Sequence, residues 1–456
     1  MKPLNVLLVT YSFPPVGGVG VLRAASLARY LPTEEIRLDV LTTRNASAVG
    51  TDSKLLKDIP PAVTIHRTTT LDLPFGVKKW IKRLIVGEKP VAGKVSNTTA
   101  AIKPGFLKRY IQDILLPDPQ VTWLPVLSRA ARRIVEARAI DLVLITVPPF
   151  SCVLLVAKLR RQFPDLLIVV DFRDEWLSTT IGLVSFSRSD RAIRVAREAE
   201  ANAVSNATAI VAVTEGARRE IRDRYPKEPD NKFQLVPNGF DGRDGSLSAP
   251  AIGSQHHNKI VATYIGSIYG STEPTTFIQA MLSLPPEVRS RFKLRFIGRI
   301  EEPRFREALL ELGDTVELKG FLPQHEALAA MNEADYALLI THDPLNVSAK
   351  FYDYIGAGKP ILAAVHPAGE VRRLLEELRA GWWADSRDVE GIRQLFLDAA
   401  ARDDISTVFR PDTERIAQYE RKVLAQRYAC LLHSIAHQHR EAVSRLEAPN
   451  IAIEVK

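Results

Sequence analysis

The chain has 456 residues, 46% of them hydrophobic and 25% charged. That is too long for one ordinary core and too apolar for bulk disorder, so two domains are expected. The formal charge of +8 attracts polyanions. Phosphorylated substrates and anionic lipid headgroups rank above nucleic acid, because the sequence has no zinc-finger spacing, RNP-type strand or arginine-rich tail. Cys152 and Cys430, the two cysteines, match no metal or redox spacing and are read as buried or inert thiols of a reducing compartment. The apolar run after Lys2 is a strand rather than a leader, and no stretch approaches the roughly 18 apolar residues of a membrane span.

Strand-like and helix-like runs alternate along the chain, which argues for α/β layers with mostly parallel sheets. Strands are expected at Val6–Thr10, Leu38–Leu41, Leu142–Thr146, Leu166–Val170, Ala209–Val213 and Phe233–Val236. Helical spacing links Val21, Ala24, Ala25, Ala28 and Leu31, and recurs over Val153–Arg161. Near-continuous apolar strands suit a sheet covered on both faces. The stretch 241–258 is rich in Gly, Ser, Asp and Pro and lacks periodicity, as a linker does. The pattern then restarts with strands at Ile260–Ile265, Lys293–Ile297, Val316–Leu318, Tyr336–Ile340 and Ile361–Ala364, and helices at Thr275–Leu284 and Phe305–Leu312. The expected architecture is therefore α/β, two Rossmann-like domains facing each other across a cleft: residues 1–240, a linker 241–258, and residues 259–412. One long charged helix from Glu414 to His437, within 413–440, is expected to pack back towards the first domain. Residues 441–456 read as a tail.

Five segments could carry chemistry. Ser12 to Gly20 places Gly17 and Gly18 between the first strand and a helix, where a bare backbone can approach an anion. Its spacing is not that of the dinucleotide fingerprint, and a tight structural turn explains it equally well. Asp171-Phe172-Arg173-Asp174-Glu175-Trp176 follows a strand at the end that faces the ligand crevice in open sheets. An internal arginine–carboxylate pair or a solvated turn would also produce it. Asn346 to Pro360 offers Ser348 as a helix cap, with Ala349 and Lys350 in the first turn and Asp353 on the same face. Such a start could meet a diphosphate and a ribose, or be a capped core helix. Phe296-Ile297-Gly298-Arg299 aims a guanidinium at the same crevice. Residues 75–123 mix Lys and Arg with Trp, Tyr and aliphatics, a composition suited to an anionic membrane surface or to an ordinary basic helix. The histidines form no ligand pair, His433 and His437 reading as a solvated helical face, and no metal, P-loop or nucleophile-elbow motif occurs.

Taken in order, these landmarks resemble family-4 glycosyltransferases of the GT-B fold, the retaining type of bacterial cell-surface polysaccharide synthesis. The resemblance runs from about Lys2 to about Cys430. It rests on YSFPPVGGVG, DFRDEW, Val213-Thr214-Glu215, Val236 to Asp241, Tyr264-Ile265-Gly266-Ser267, Leu318 to Phe321 and SAKFYDYIGAGKP. It implies a nucleotide-sugar donor in the second domain and no metal cofactor. Asp353 would hold the ribose, Ser348, Ala349, Lys350 and Arg299 the diphosphate, and the backbone around Phe321 the base. Gly17 and Gly18 would approach the phosphates from the opposite domain, and Gly266 and Ser267 would line the donor loop. Asp174 and Arg173 are the expected positioning groups for the acceptor, with Trp176 as a stacking surface and Arg23 as a candidate for an acceptor phosphate. The acceptor would be a glycan or lipid-linked sugar at the inner face of the plasma membrane.

Two departures from the family pattern stand out. Leu345 occupies the place, eight before Asp353, where the family often has its first glutamate, and the Gly266-Ser267 loop carries no basic residue. A sugar-nucleotide 2-epimerase of the same architecture and a catalytically degenerate sugar-nucleotide-binding partner protein are the alternatives.

Overall fold

The computed structural model describes residues 2–46, 52–70, 115–178, 189–242, 259–322, 324–402 and 404–447. The strands form two parallel sheets. The first contains β1 (Leu4–Val9), β2 (Ile36–Thr43), β3 (Thr64–Thr68), β4 (Leu142–Val147), β5 (Leu167–Phe172), β6 (Ala209–Ala212) and β7 (Phe233–Leu235), in the order β3-β2-β1-β4-β5-β6-β7. The second contains β8 (Ile260–Ile265), β9 (Phe292–Ile297), β10 (Val316–Gly320), β11 (Tyr336–Thr341), β12 (Ile361–Val365) and β13 (Gly381–Asp385), in the order β10-β9-β8-β11-β12-β13. In each sheet the strand order reverses direction at the first strand, which opens a crevice beyond the strands' C-terminal ends.

The apolar runs divide between two cores by simple alternation. Leu7, Val9, Val143, Ile145, Ile168 and Val170 enter one cluster. Their neighbours Val6, Leu8, Leu142, Leu144, Leu167 and Val169 enter the cluster on the other face. The second sheet repeats this, with Leu338 and Ile340 on one side and Ala337 and Leu339 on the other. Period-two geometry thus turns an unbroken apolar string into two buried faces.

β3 and β13 were not legible as strands. Thr64–Thr68 is polar and only partly buried at a sheet edge, and Gly381–Asp385 is short and mostly half-buried. The expected long C-terminal helix is in fact two, Thr413–Ala417 and Arg421–Glu447. Between them Glu420 bridges to Phe240, and Phe240 N–H donates to Tyr419 O at 3.1 Å. This contact between passing segments interrupts the helix. The second helix lays Leu424, Tyr428, Leu432, Ile435 and Ala436 into the first domain's core. It stays helical through residues 441–447, expected as tail. Cys152 is buried, and Cys430 is exposed on this helix. Among the described residues no helix is long and apolar enough to cross a membrane.

Candidate functional site

The crevice is bordered by loops that leave the C-terminal ends of strands in both domains. From the second domain come the turn after β8, Gly298-Arg299 after β9, Phe321 after β10 and residues 342–348 after β11. From the first come the glycine loop after β1, the turn after β4, Arg173–Trp176 after β5 and Thr214 after β6.

On the second domain's side Lys350 lies at the start of the helix Ala349–Gly356. Its ammonium donates to Tyr264 Oη at 2.5 Å and sits 4.2 Å from the centre of that ring. Gly266 has φ +130°, and a Cβ there would fall 2.9 Å from Lys350 Cε, so the backbone turn and the lysine fit only around a glycine. Burial pushes the Lys350 ammonium down to about 8, with partial compensation from Tyr269. Ser267 accepts from Tyr264 Oη at 3.0 Å through its carbonyl, which shapes the same turn. Ser348 caps the helix in an extended conformation without a side-chain cap bond. The N–H groups of the first turn therefore face the crevice unaided by that hydroxyl.

Arg299 stacks on Phe321, its guanidinium carbon 5.1 Å from the ring centre, and Phe321 is 67% exposed. The two form an open planar platform. Asp353 lies one helical turn beyond Lys350 on the same helix, near Asp241 and Arg421. Burial pushes its carboxyl up to about 6, opposed by Arg421 and reinforced by Asp241. The structure thus sets Asp353 beside Arg421.

The first domain's side is differently built. Arg173 donates to the carbonyl oxygens of Gly20 and Pro148, and to Val147 O at 3.2 Å. It staples the glycine loop to the turn after β4. Asp174 projects into the crevice. The surrounding protein pushes its carboxyl up, Arg173 opposes this, and Asp343 from the other domain adds to it. Gly18 precedes the helix Val19–Tyr30 with φ +107°, and nothing lies within 4 Å of where a side chain would begin. Gly17 is half-buried beside it.

Two expected acceptor residues take other roles. The Arg23 guanidinium forks onto Asp171 at 2.9 and 2.8 Å and donates to the carbonyls of Pro237 and Val236, both at 2.8 Å. With its donors engaged inside the domain, it is not presented to an acceptor phosphate. Burial alone would raise the Asp171 carboxyl, but Arg23, Tyr428 and Thr146 together hold it below its ordinary value. Trp176 is 1% exposed and stacks on Phe150 at 4.5 Å, so its ring is core rather than a sugar platform. Within the basic segment 75–123, residues 75–114 lie outside the described residues. Trp123 is buried with its Nε1–H donating to Thr68 Oγ1 at 2.8 Å, so it is no membrane anchor.

Sequence reasoning passed over Asp343 and Glu370 and gave Asn346, the first residue of its third segment, no role. Asp343 Oδ1 accepts from the backbone N–H of Leu345 at 2.8 Å and of Asn346 at 3.0 Å, and its Oδ2 from Asn346 Nδ2 at 3.0 Å. A short Asp-x-x-Asn spacing was the available signal. Among the described residues no group of three or more His, Cys, Asp or Glu side chains comes together to hold a metal.

Comparison with known proteins agrees with this layout. Residues 108–239 match the glycosyl transferase 4-like domain family. A putative colanic acid biosynthesis glycosyltransferase, WcaL of Salmonella typhimurium, is 26% identical over 155 residues, which is 32% of this chain and 38% of that protein. The Escherichia coli K12 protein of the same description is 24% identical over the same shares. The matched region therefore spans well under half the length of these curated relatives. Among solved structures, Anabaena HepE in complex with UDP superposes with TM-score 0.54 at 16% identity, covering 98% of this chain and 100% of that one. The N-terminal domain of Candida albicans trehalose-6-phosphate phosphatase gives TM-score 0.63 at 13% identity, covering 94% and 97%. Paired parallel sheets with a crevice between them, matched end to end by these structures, define a GT-B fold. The chain thus has a GT-B fold and, over residues 108–239, is similar to the glycosyl transferase 4-like domain.

Proposed function

We propose that the protein transfers a sugar from a nucleotide-sugar donor to a glycan or lipid-linked acceptor, with retention and in surface-polysaccharide synthesis. The observation that carries this reading is Lys350. It is a half-buried cation held against the Gly266 turn at the start of a helix whose first N–H groups face the crevice. Among the described residues no carboxylate pairs with this ammonium, and an incoming diphosphate would offset the cost of its partial desolvation. Lys350 and the helix start would stabilise charge developing on the leaving diphosphate. Asp353 would accept the ribose hydroxyls, and the Arg299–Phe321 platform would meet the nucleotide beyond the phosphates. Gly17 and Gly18 would approach the phosphates from the first domain. Asp174, with its carboxyl pushed up, would receive the acceptor hydroxyl, and Arg173 would keep the glycine loop in place.

Anabaena HepE was solved with UDP, which makes UDP the first nucleotide to try. Thermal stabilisation by UDP, GDP, ADP, CMP and dTDP, with NAD as control, tests the reading. A ligand at 100 times its dissociation constant adds about 2.7 kcal/mol. A shift with one sugar-carrying nucleotide is expected, and a shift with NAD alone would overturn the assignment. The proposed acceptor places the protein at the inner face of the plasma membrane. A chain that fails to float with anionic liposomes at low salt refutes that placement.

A further inference from the structure

Three hydrogen bonds cross the crevice from the first domain to one small region of the second. Thr214 Oγ1 donates to Leu345 O at 2.7 Å, Gly216 N–H donates to Glu370 Oε1 at 2.8 Å, and Glu175 N–H donates to Asn346 Oδ1 at 3.1 Å. The donors come from successive strand ends, after β5 and after β6, on the edge that carries Asp174. Two of the acceptors, Leu345 and Asn346, sit in the loop that runs directly into Ser348 and Lys350, and the third, Glu370, opens the helix Glu370–Glu377 after β12.

Both partners are built for this contact. On the second domain, Asp343 gathers the N–H groups of Leu345 and Asn346 and the Asn346 amide, and Glu370 N–H donates to Pro344 O at 3.0 Å. The loop is thereby pinned before it meets the other domain. The second oxygen of Glu370 is held by Arg373 at 2.9 Å, which turns the first towards Gly216. On the first domain, Thr214 also caps the helix Glu215–Arg224 by accepting from Ala217 N–H at 3.1 Å. Its single hydroxyl thus works in both directions. Position 216 is a glycine at a close approach of the two domains. A Cβ there would lie 3.0 Å from Glu370 Oε1 and 3.2 Å from Leu345 Cδ2. The carboxylate and the leucine thus press against bare backbone at the helix start.

We infer that Thr214, Asn346 and Glu370 are positioning residues that lock the two domains in the register that sets Asp174 opposite Lys350. The lock ties the acceptor-side loop to the donor-side helix over a short path: Glu175 directly follows Asp174, and Asn346 leads through Val347 to the helix cap Ser348. Leu345 thereby acquires a role of its own, because its carbonyl and side chain both serve the docking. The kinetic half of this inference rests on the sugar-transfer reading, whereas the structural half does not.

The test compares the full-length protein with the double variant Thr214→Val/Glu370→Ala and with Asn346→Ala. Small-angle scattering, with and without UDP, reads domain closure. Transfer kinetics read kcat, and titration with UDP reads nucleotide affinity and the fraction of active sites. The variants are expected to scatter as more extended particles and to lose about tenfold in kcat per active site, with nucleotide affinity within about twofold of wild type. Thr214→Ser and Glu370→Gln keep the hydroxyl and the acceptor oxygen, and are expected to restore wild-type scattering and kcat. Scattering unchanged in both variants overturns the lock. Opened particles with undiminished kcat overturn its positioning role. If the wild type transfers no sugar from any donor, the proposed function fails on its own, and scattering still decides whether the contact holds the domains.

Discussion

The two lips of the crevice are made of similar residues put to opposite uses. On the first domain's lip the arginines are spent internally. Arg23 is forked onto Asp171, Arg173 is bound to three carbonyls, and Arg224 joins Glu175 and Glu200. On the second domain's lip the cations meet aromatic faces instead of carboxylates: Lys350 lies over Tyr264 and Arg299 over Phe321. An aromatic face holds a cation more loosely than a buried carboxylate does and leaves its charge uncompensated. The first lip is thus a rigid frame, and the second keeps positive charge in reserve for a ligand. Charge count along the sequence says nothing of this division, which depends on what each side chain finds across the turn.

The frame should fail by unfolding. Arg23→Leu strands Asp171, which is wholly buried. Loss of one partner of a buried pair costs about 3–5 kcal/mol, readable as a large drop in denaturation midpoint. A midpoint near wild type would mean that water or another donor replaces the guanidinium. The reserve should fail by losing ligand. Lys350→Met is expected to weaken nucleoside diphosphate binding by about tenfold or more, about 1.4 kcal/mol upward, with little change in Tm. Because the Lys350 ammonium is pushed down to about 8, affinity in the wild type should fall as pH rises through that value, and the variant should show no such fall. Equal pH profiles would remove Lys350 from the phosphate site. Asp174→Asn sits between the two lips. It should leave nucleotide binding intact while transfer drops at least about tenfold, and an undiminished rate would deny it the acceptor.

The fold was readable because near-continuous apolar strands are strong local signals; of the expected linker 241–258, residues 243–258 lie outside the described residues. The glycines were readable for a similar reason: Gly18 and Gly266 mark backbone that other residues would strain. Partner choice was not. Arg23 and Asp171 are 148 positions apart, and Tyr428 joins them from the far end of the chain. Nothing local distinguishes that arginine from one awaiting a phosphate. Trp176 was misread because an aromatic beside carboxylates fits a sugar platform, whereas Phe150, which covers it, arrives from the turn after β4. The cross-domain contacts of Thr214 and Glu370 were hidden because each residue also reads locally as an ordinary helix start.

The smallest expected effect probes the frame where it is least satisfied. Glu200 is fully buried; its Oε1 accepts from Arg224 at 3.0 Å and from Tyr225 Oη at 3.0 Å, while Oε2 finds no partner among the described residues. Arg224 is shared with Glu175, so two buried carboxylates lean on one guanidinium. Burial pushes the Glu200 carboxyl up from 4.5 to about 7, against the pull of Arg224. Between those values the folded protein holds a proton that the unfolded chain has released. Stability is therefore lost as pH rises through this window, and the whole penalty is present above about 7. Glu200→Gln keeps an oxygen for Arg224 and Tyr225 and removes the charge. Its Tm relative to wild type should rise between pH 5 and pH 8, by about 2–4 °C for each kcal/mol relieved. A Tm difference that stays flat with pH would show that Glu200 is ionised throughout, with Arg224 sufficing for both carboxylates.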